Sequence, residues 1–176
     1  TNGKFAFMPH IATAQMADFD RVCRWLNIEF IDPRGDFESV LKRISTSKVM
    51  ITEALHGAIV ADALRTPWIP TASSENILNF KWVDHCMSIG LPYNPHHIEA
   101  PWNPSKMANY QRSIPRKLIT RARCKIHQIS NSAERVTDRM IRIMSMQPML
   151  SEEKTIKRID EKLDEKIVLL KARLKR

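Results

Sequence analysis

Lys48-Val49-Met50-Ile51-Thr52-Glu53-Ala54-Leu55-His56-Gly57-Ala58-Ile59-Val60-Ala61-Asp62-Ala63-Leu64 is the stretch that decides the fold. Lys48 to Ile51 reads as a strand, and it passes without a loop into a helix running from Thr52 to Leu64. That helix is apolar nearly all round, which predicts burial rather than a surface position. The polar residues collect at the junction. Thr52 is a suitable N-cap, Glu53 falls in the first turn where the helix dipole favours negative charge, and His56 follows three residues later on the same face. Gly57 costs such a helix roughly 1 kcal/mol relative to Ala, which points to a ligand or a neighbouring strand lying close against its backbone.

The same alternation extends outward in both directions. Phe5 to Met8 reads as a strand closed by Pro9, Asp18 to Leu26 as a helix, and Glu29 to Ile31 as a second strand ended by Asp32-Pro33. Asp36 to Ile44 places Phe37, Val40, Leu41 and Ile44 on one helical face. Beyond the central stretch, Trp68 and Ile69 suggest a short fourth strand, and Asn79 to Ile89 a helix ending at Gly90. Strands alternating with helices predict an α/β, Rossmann-like parallel sheet with its ligand crevice at the carboxyl ends of the strands. Leu91 to Pro104 reads as a loop closing this part.

After residue 100 everything reads as helix, so the expected division is an α/β lobe over 1–100 and a basic helical tail over 101–176. Pro115 opens one helix, Asn131 or Ser132 caps the next, and Ser151 is the expected N-cap of the last. In that last helix Ile156, Ile159, Leu163, Ile167, Leu170 and Leu174 form a stripe that must pack on the body or on another chain.

Charge follows the same division. The 176 residues carry a formal +9, but residues 1–100 hold 9 basic and 11 acidic residues while 101–176 hold 19 and 8. A basic, amphipathic tail suits an anionic lipid surface, which would put the protein at the inner face of a cell membrane. Arg116, Lys117, Arg121, Arg123 and Lys125 are spread around their helix and form no single stripe, which argues against nucleic acid as a partner. No apolar run approaches the roughly 20 residues of a membrane span, and Thr1 to Phe7 show no basic-then-apolar leader. Three cysteines without metal-knuckle spacing predict reduced thiols, a cytoplasmic setting and no zinc site.

The junction residues have chemical potential. Free N–H groups at a helix start favour phosphate or carboxylate, and a helix start lowers the pKa of a nearby imidazole so that it serves as a neutral base. Against this stands the plainer reading, in which His56 is a satisfied polar residue at the core edge and Glu53 a capping partner. His10, after Met8-Pro9, is expected to face the same crevice. His96-His97 is expected to be loop, since adjacent residues diverge and no further ligand has metal spacing.

Taken together, Thr52 to Trp68, Phe80-Lys81-Trp82-Val83-Asp84 and Phe7-Met8-Pro9-His10 resemble the polysaccharide pyruvyl transferase family, in its bacterial exopolysaccharide branch. The resemblance spans roughly residues 5 to 92. It implies the C-terminal lobe of a glycosyltransferase-B-like fold and the transfer of a pyruvyl group from phosphoenolpyruvate to two hydroxyls of a hexose, giving a cyclic ketal. Phosphoenolpyruvate is then the donor substrate, no cofactor is required, and the acceptor is a saccharide, expected to be lipid-linked.

By the same resemblance Leu55 and His56 contact the donor, with His56 the general acid/base; the proton transfers of the reaction suit Glu53, nearby, as its orienting partner. Ala54 stands where some members carry Arg, so either another cation supplies that charge or it is not needed. Arg65, Lys81 and Lys48 are the candidates, with solvated or salt-bridged roles as the alternative. Asp84 is placed to accept a proton from a sugar hydroxyl, a capping or salt-bridge role being the alternative. Two rivals remain open: a nucleotide-sugar glycosyltransferase lobe on the same fold, and a non-enzymatic helical module that oligomerises or binds nucleic acid through residues 101–176.

Overall fold

In the computed structural model, residues 3–73, 79–111 and 133–174 are described. Five strands, β1 (Phe5–Met8), β2 (Glu29–Phe30), β3 (Val49–Thr52), β4 (Trp68–Ala72) and β5 (His96–His97), form one sheet in the order β2-β1-β3-β4-β5. Every pairing is parallel, with Phe7 opposite Ile51, Ile51 opposite Ile69 and Thr71 opposite His96. The α/β, Rossmann-like parallel sheet is therefore present.

The helices are α1 (Ile11–Met16), α2 (Phe19–Trp25), α3 (Phe37–Thr46), α4 (Leu55–Ala63), α5 (Asn79–Ser88), α6 (Pro104–Gln111), α7 (Ala133–Met144) and α8 (Glu153–Leu174). The chain runs outward from β1 to β2, then crosses back to β3 on the other side of β1. Such a reversal opens a crevice at the carboxyl ends of β1 and β3, because the connections on either side leave in opposite directions.

Alternation along each strand divides the core between the two faces. Phe7, Val49, Ile51 and Ile69 meet Phe19, Val22 and Cys23 of α2 on one face. Ala6, Met8, Met50 and Trp68 meet Ile44 of α3, Ala58 and Ala61 of α4, and Trp82 and Cys86 of α5 on the other. The first face is completed from far along the chain. Val136, Met140 and Ile143 of α7, three and four residues apart, are fully buried against it.

Residues expected to form a tail are thus packed on the body at several points. Pro101 accepts the Asp18 N–H at 2.9 Å, and Lys106 pairs with Asp18 at 2.8 Å. Met149 forms an antiparallel bridge with Trp68, exchanging both backbone hydrogen bonds at 2.7 and 2.9 Å. Ile156 and Ile159 rest half-buried on the second core.

Several local expectations are corrected. The central helix starts at Leu55, not Thr52, and Ala54 is its N-cap. Thr52 is the last residue of β3; its hydroxyl accepts the Ala54 N–H at 3.0 Å and approaches the Ala54 carbonyl at 2.9 Å, so its capping capacity is used one step before the helix. Ser151 does not cap the last helix: its N–H and hydroxyl both bind the Asp62 carboxylate, and the first turn of α8 closes on the Glu152 carbonyl. Helix α1 and strand β5 were not expected, and Pro104, read as the end of a loop, opens α6. The helix expected from Pro115 and the caps expected at Asn131 and Ser132 lie outside the described residues.

Candidate active site

The carboxyl ends of β1, β3 and β4 are held together by one side chain. Glu53 is 2% exposed, and its carboxylate accepts the His10 N–H at 2.9 Å, the Ser73 N–H at 3.1 Å and the Ser73 hydroxyl. Its own N–H donates to the Met8 carbonyl at 2.9 Å. A carboxylate removed from water in this way requires such donors, and here they come from segments 43 and 20 residues away. Among the described residues no hydrogen bond joins Glu53 to His56, so the carboxylate points into the sheet edge and away from the helix face where it was expected.

Helix α4 leaves this edge with its opening turn free of acidic residues and of any side-chain cap. Leu55, its first residue, is half-buried and packs on the second core; His56, its second, is exposed. Gly57 is buried beneath them. A Cβ at Gly57 would lie 2.7 Å from the Thr52 hydroxyl and 2.8 Å from the Met8 sulfur, so the glycine is what lets α4 approach β1 and β3 so closely. The expected close approach is made by the strands.

His10 also stands at this edge. It is exposed, and its Nδ1 accepts the Ala12 N–H at 3.3 Å, which fixes the ring at the start of α1. Thr13, buried on the next turn, lies 3.5 Å from Ser73 through their hydroxyls. The loop wall therefore consists of His10, Thr13, Glu53 and Ser73, of which Thr13 and Ser73 carry no local sequence signal. Only the lateral neighbourhood of β1, β3 and β4 brings them together.

The remaining candidates divide by position. Lys81 and Asp84 are exposed on α5, whose start follows β4 on the crevice side of the sheet, and Lys81 has no ion-pair partner among the described residues. Arg65 is elsewhere. It follows the carboxyl end of α4 with φ +59°, and its guanidinium binds the Ser151 carbonyl at 2.6 Å and hydroxyl at 3.2 Å. Lys48 precedes β3 and lies 5.5 Å over the Phe5 ring. Both cations therefore sit at the opposite end of the strands from His56. His96-His97, expected as loop, forms β5, and the His97 carbonyl accepts the Arg139 Nε at 2.7 Å. Among the described residues no three His, Cys, Asp or Glu side chains are grouped to hold a metal ion.

Residues 8–75, from the end of β1 to just past Ser73, match the model of the polysaccharide pyruvyl transferases. This segment is similar to the polysaccharide pyruvyl transferase family. It contains the whole strand-end constellation of His10, Glu53, Leu55, His56 and Ser73. The succinoglycan biosynthesis protein ExoV of Rhizobium meliloti (strain 1021) is 36% identical over 95 residues, or 54% of this chain and 30% of the relative. The chain thus spans about a third of the length of that polysaccharide-biosynthesis relative. No solved structure matches it.

Proposed function

We propose that the protein transfers a pyruvyl group from phosphoenolpyruvate to a hexose of a bacterial exopolysaccharide or its lipid-linked repeat unit, forming a cyclic ketal. The observation that carries this reading is the placement of Leu55-His56 on the uncapped opening turn of α4, beside the β1/β3 crevice and inside the segment that matches the family. Unpaired N–H groups of that turn suit an anion, and His56 is exposed to whatever enters.

In the proposed reaction one sugar hydroxyl adds to the central carbon of the enol ester while the methylene carbon gains a proton. The second hydroxyl then takes the place of the phosphate, which leaves as inorganic phosphate with the second hydroxyl proton. His56 moves these protons, and Asp84 on α5 is the second acid/base candidate. Glu53 serves by holding the ends of β1, β3 and β4 in register, and Lys81 is the cation retained for the donor. Leu55 and His10 complete the donor side. Arg65 is not carried into this proposal, because its guanidinium is committed to Ser151 at the far end of α4.

The proposal includes a second lobe of a glycosyltransferase-B-like enzyme facing this edge, and a cytoplasmic location at the membrane where lipid-linked sugars are built. No helix among the described residues is long and apolar enough to cross a membrane. The test is incubation of the full-length protein with phosphoenolpyruvate and lipid-linked oligosaccharides, scored by the mass gain of one pyruvyl ketal and by phosphate release. Wild type is expected to give both, and His56→Ala neither, with unchanged thermal unfolding. Displacement of a bound nucleotide sugar without any ketal product would sink the reading in favour of a glycosyltransferase.

A further inference from the structure

The 22-residue helix α8 uses its apolar stripe in two different ways. Ile156 and Ile159 are half-buried on the body, but Leu163, Ile167 and Leu170 continue the same line at 55%, 39% and 61% exposure. At 100° per residue these three fall within about 60° of one another, so they form a seam. Val168 and Leu169, 65% and 63% exposed, lie outside it.

The charges beside the seam are self-complementary. Asp164 and Lys171 lie on the same flank, about 80–100° from Leu163, and both are exposed. Neither has an ion-pair partner among the described residues. In an antiparallel helix pair each flank faces its own copy running the other way, so Asp164 of one chain meets Lys171 of the other, twice about the two-fold axis. The same register brings Leu163 opposite Leu170 to within one residue and centres the contact on Ile167.

We infer that the exposed half of α8 pairs antiparallel with α8 of a second copy of this chain. The seam is buried by the partner's seam, and the Asp164–Lys171 pairs fix the direction. An anionic lipid surface fits this face less well, because Asp164 stands beside the seam. The opposite flank, Lys162 and Lys166, meets no acidic residue in this register. Association therefore rests on three apolar residues per chain and one pair of charge contacts, which suits a weak dimer. The inference stands on the helix alone and does not depend on the proposed reaction.

Sedimentation velocity of the full chain from about 1 to 200 μM is expected to show a monomer–dimer equilibrium. Leu163→Glu with Leu170→Glu should leave a monomer whose thermal unfolding matches wild type, since both side chains face solvent in the monomer. Asp164→Lys or Lys171→Asp alone should raise the dimer Kd about tenfold, and the two together should restore it. A monomer at every concentration overturns the inference, as does a dimer indifferent to Leu163 and Leu170. Failure of the double charge exchange to restore affinity overturns the antiparallel direction. A chain that stays monomeric but binds phosphatidylglycerol vesicles through Leu163 and Leu170 assigns the face to lipid and overturns the dimer.

Discussion

Glu53 accepts the backbone N–H of His10 at 2.9 Å, so the loop after β1 is tied to the end of β3 by a buried side chain. The same carboxylate takes the Ser73 N–H and hydroxyl, and the loop after β4 is tied as well. Three strand ends that the ladder would leave free to splay are thereby held in one arrangement around His56. Their common anchor explains why a carboxylate occupies a position that sequence reasoning assigns to proton chemistry.

Removing that anchor should cost stability first. Glu53→Ala leaves the His10 and Ser73 N–H groups without their acceptor and is expected to lose about 2–4 kcal/mol in urea unfolding. Glu53→Gln keeps one acceptor oxygen but turns an amide N–H₂ toward donors, and should fall between the two. If Glu53→Ala unfolds at the wild-type urea concentration, the anchoring role is wrong.

Gly57→Ala sets two effects against each other. Helix propensity alone would favour Ala by about 1 kcal/mol. The new methyl, however, would stand 2.7 Å from the Thr52 hydroxyl on a buried strand, where little can move, and overpacking of this kind costs about 1–3 kcal/mol. A net loss of stability is expected by calorimetry, and a higher melting temperature would show that α4 can shift away from the sheet.

Asp62 should be the attachment point of α8. It is 1% exposed and accepts from Trp68 Nε1 at 3.1 Å, the Ser151 N–H at 2.9 Å and the Ser151 hydroxyl. Asp62→Ala is expected to cost about 2–4 kcal/mol, and Ser151→Ala, which removes one donor, about 1 kcal/mol. Amide hydrogen exchange should accelerate in residues 149–160 of Ser151→Ala before it does in α4. Uniform acceleration would place the latch elsewhere.

His85 gives the fold a pH dependence on the acid side. Burial lowers its pKa below the ordinary 6.5, outweighing the opposing charges of Asp62 and Asp84. A group whose folded pKa is depressed contributes its full stability above the unfolded value and loses it as pH falls toward the folded one. Burial and the neighbouring Arg139 lower His96 in the same direction. Unfolding free energy is therefore expected to decline from pH 7 to pH 5, with a shallower slope in His85→Gln and a shallower one again with His96→Gln added. Identical slopes in wild type and the double variant would remove both residues from the account.

The backbone plan was legible wherever one short segment carried its own signal. Asp36 caps α3 through Ser39 N–H at 3.0 Å, Gly90 follows α5 with φ +73°, Phe5–Met8 is a strand at the expected position, and the strand expected at Trp68-Ile69 runs on to Ala72. Errors arose where a side chain had both a local and a distant use. Thr52, Glu53 and Ser151 each carry good local capping chemistry, yet the Thr52 hydroxyl also reaches the Met8 carbonyl at 3.3 Å, Glu53 reaches to His10 and Ser73, and Ser151 turns to Asp62. A buried donor or acceptor takes whichever partner the packed chain presents, and sequence spacing shows only the near ones.

The expected burial of α4 holds on one face only: Gly57, Ala58, Ala61 and Asp62 are buried, while Ile59 and Ala63 are exposed. By itself the sequence determined the alternation of strand and helix, the close approach at Gly57 and the strand end at which His56 stands. These depend on hydrophobic period and on steric limits within a few residues. Tertiary structure alone decided that Ser73 and Thr13 join His10 and Glu53, that Arg65 belongs to Ser151, and that α7 closes the sheet while half of α8 stays bare. Those outcomes depend on which strands lie side by side and which faces remain uncovered, and both are properties of the assembled sheet.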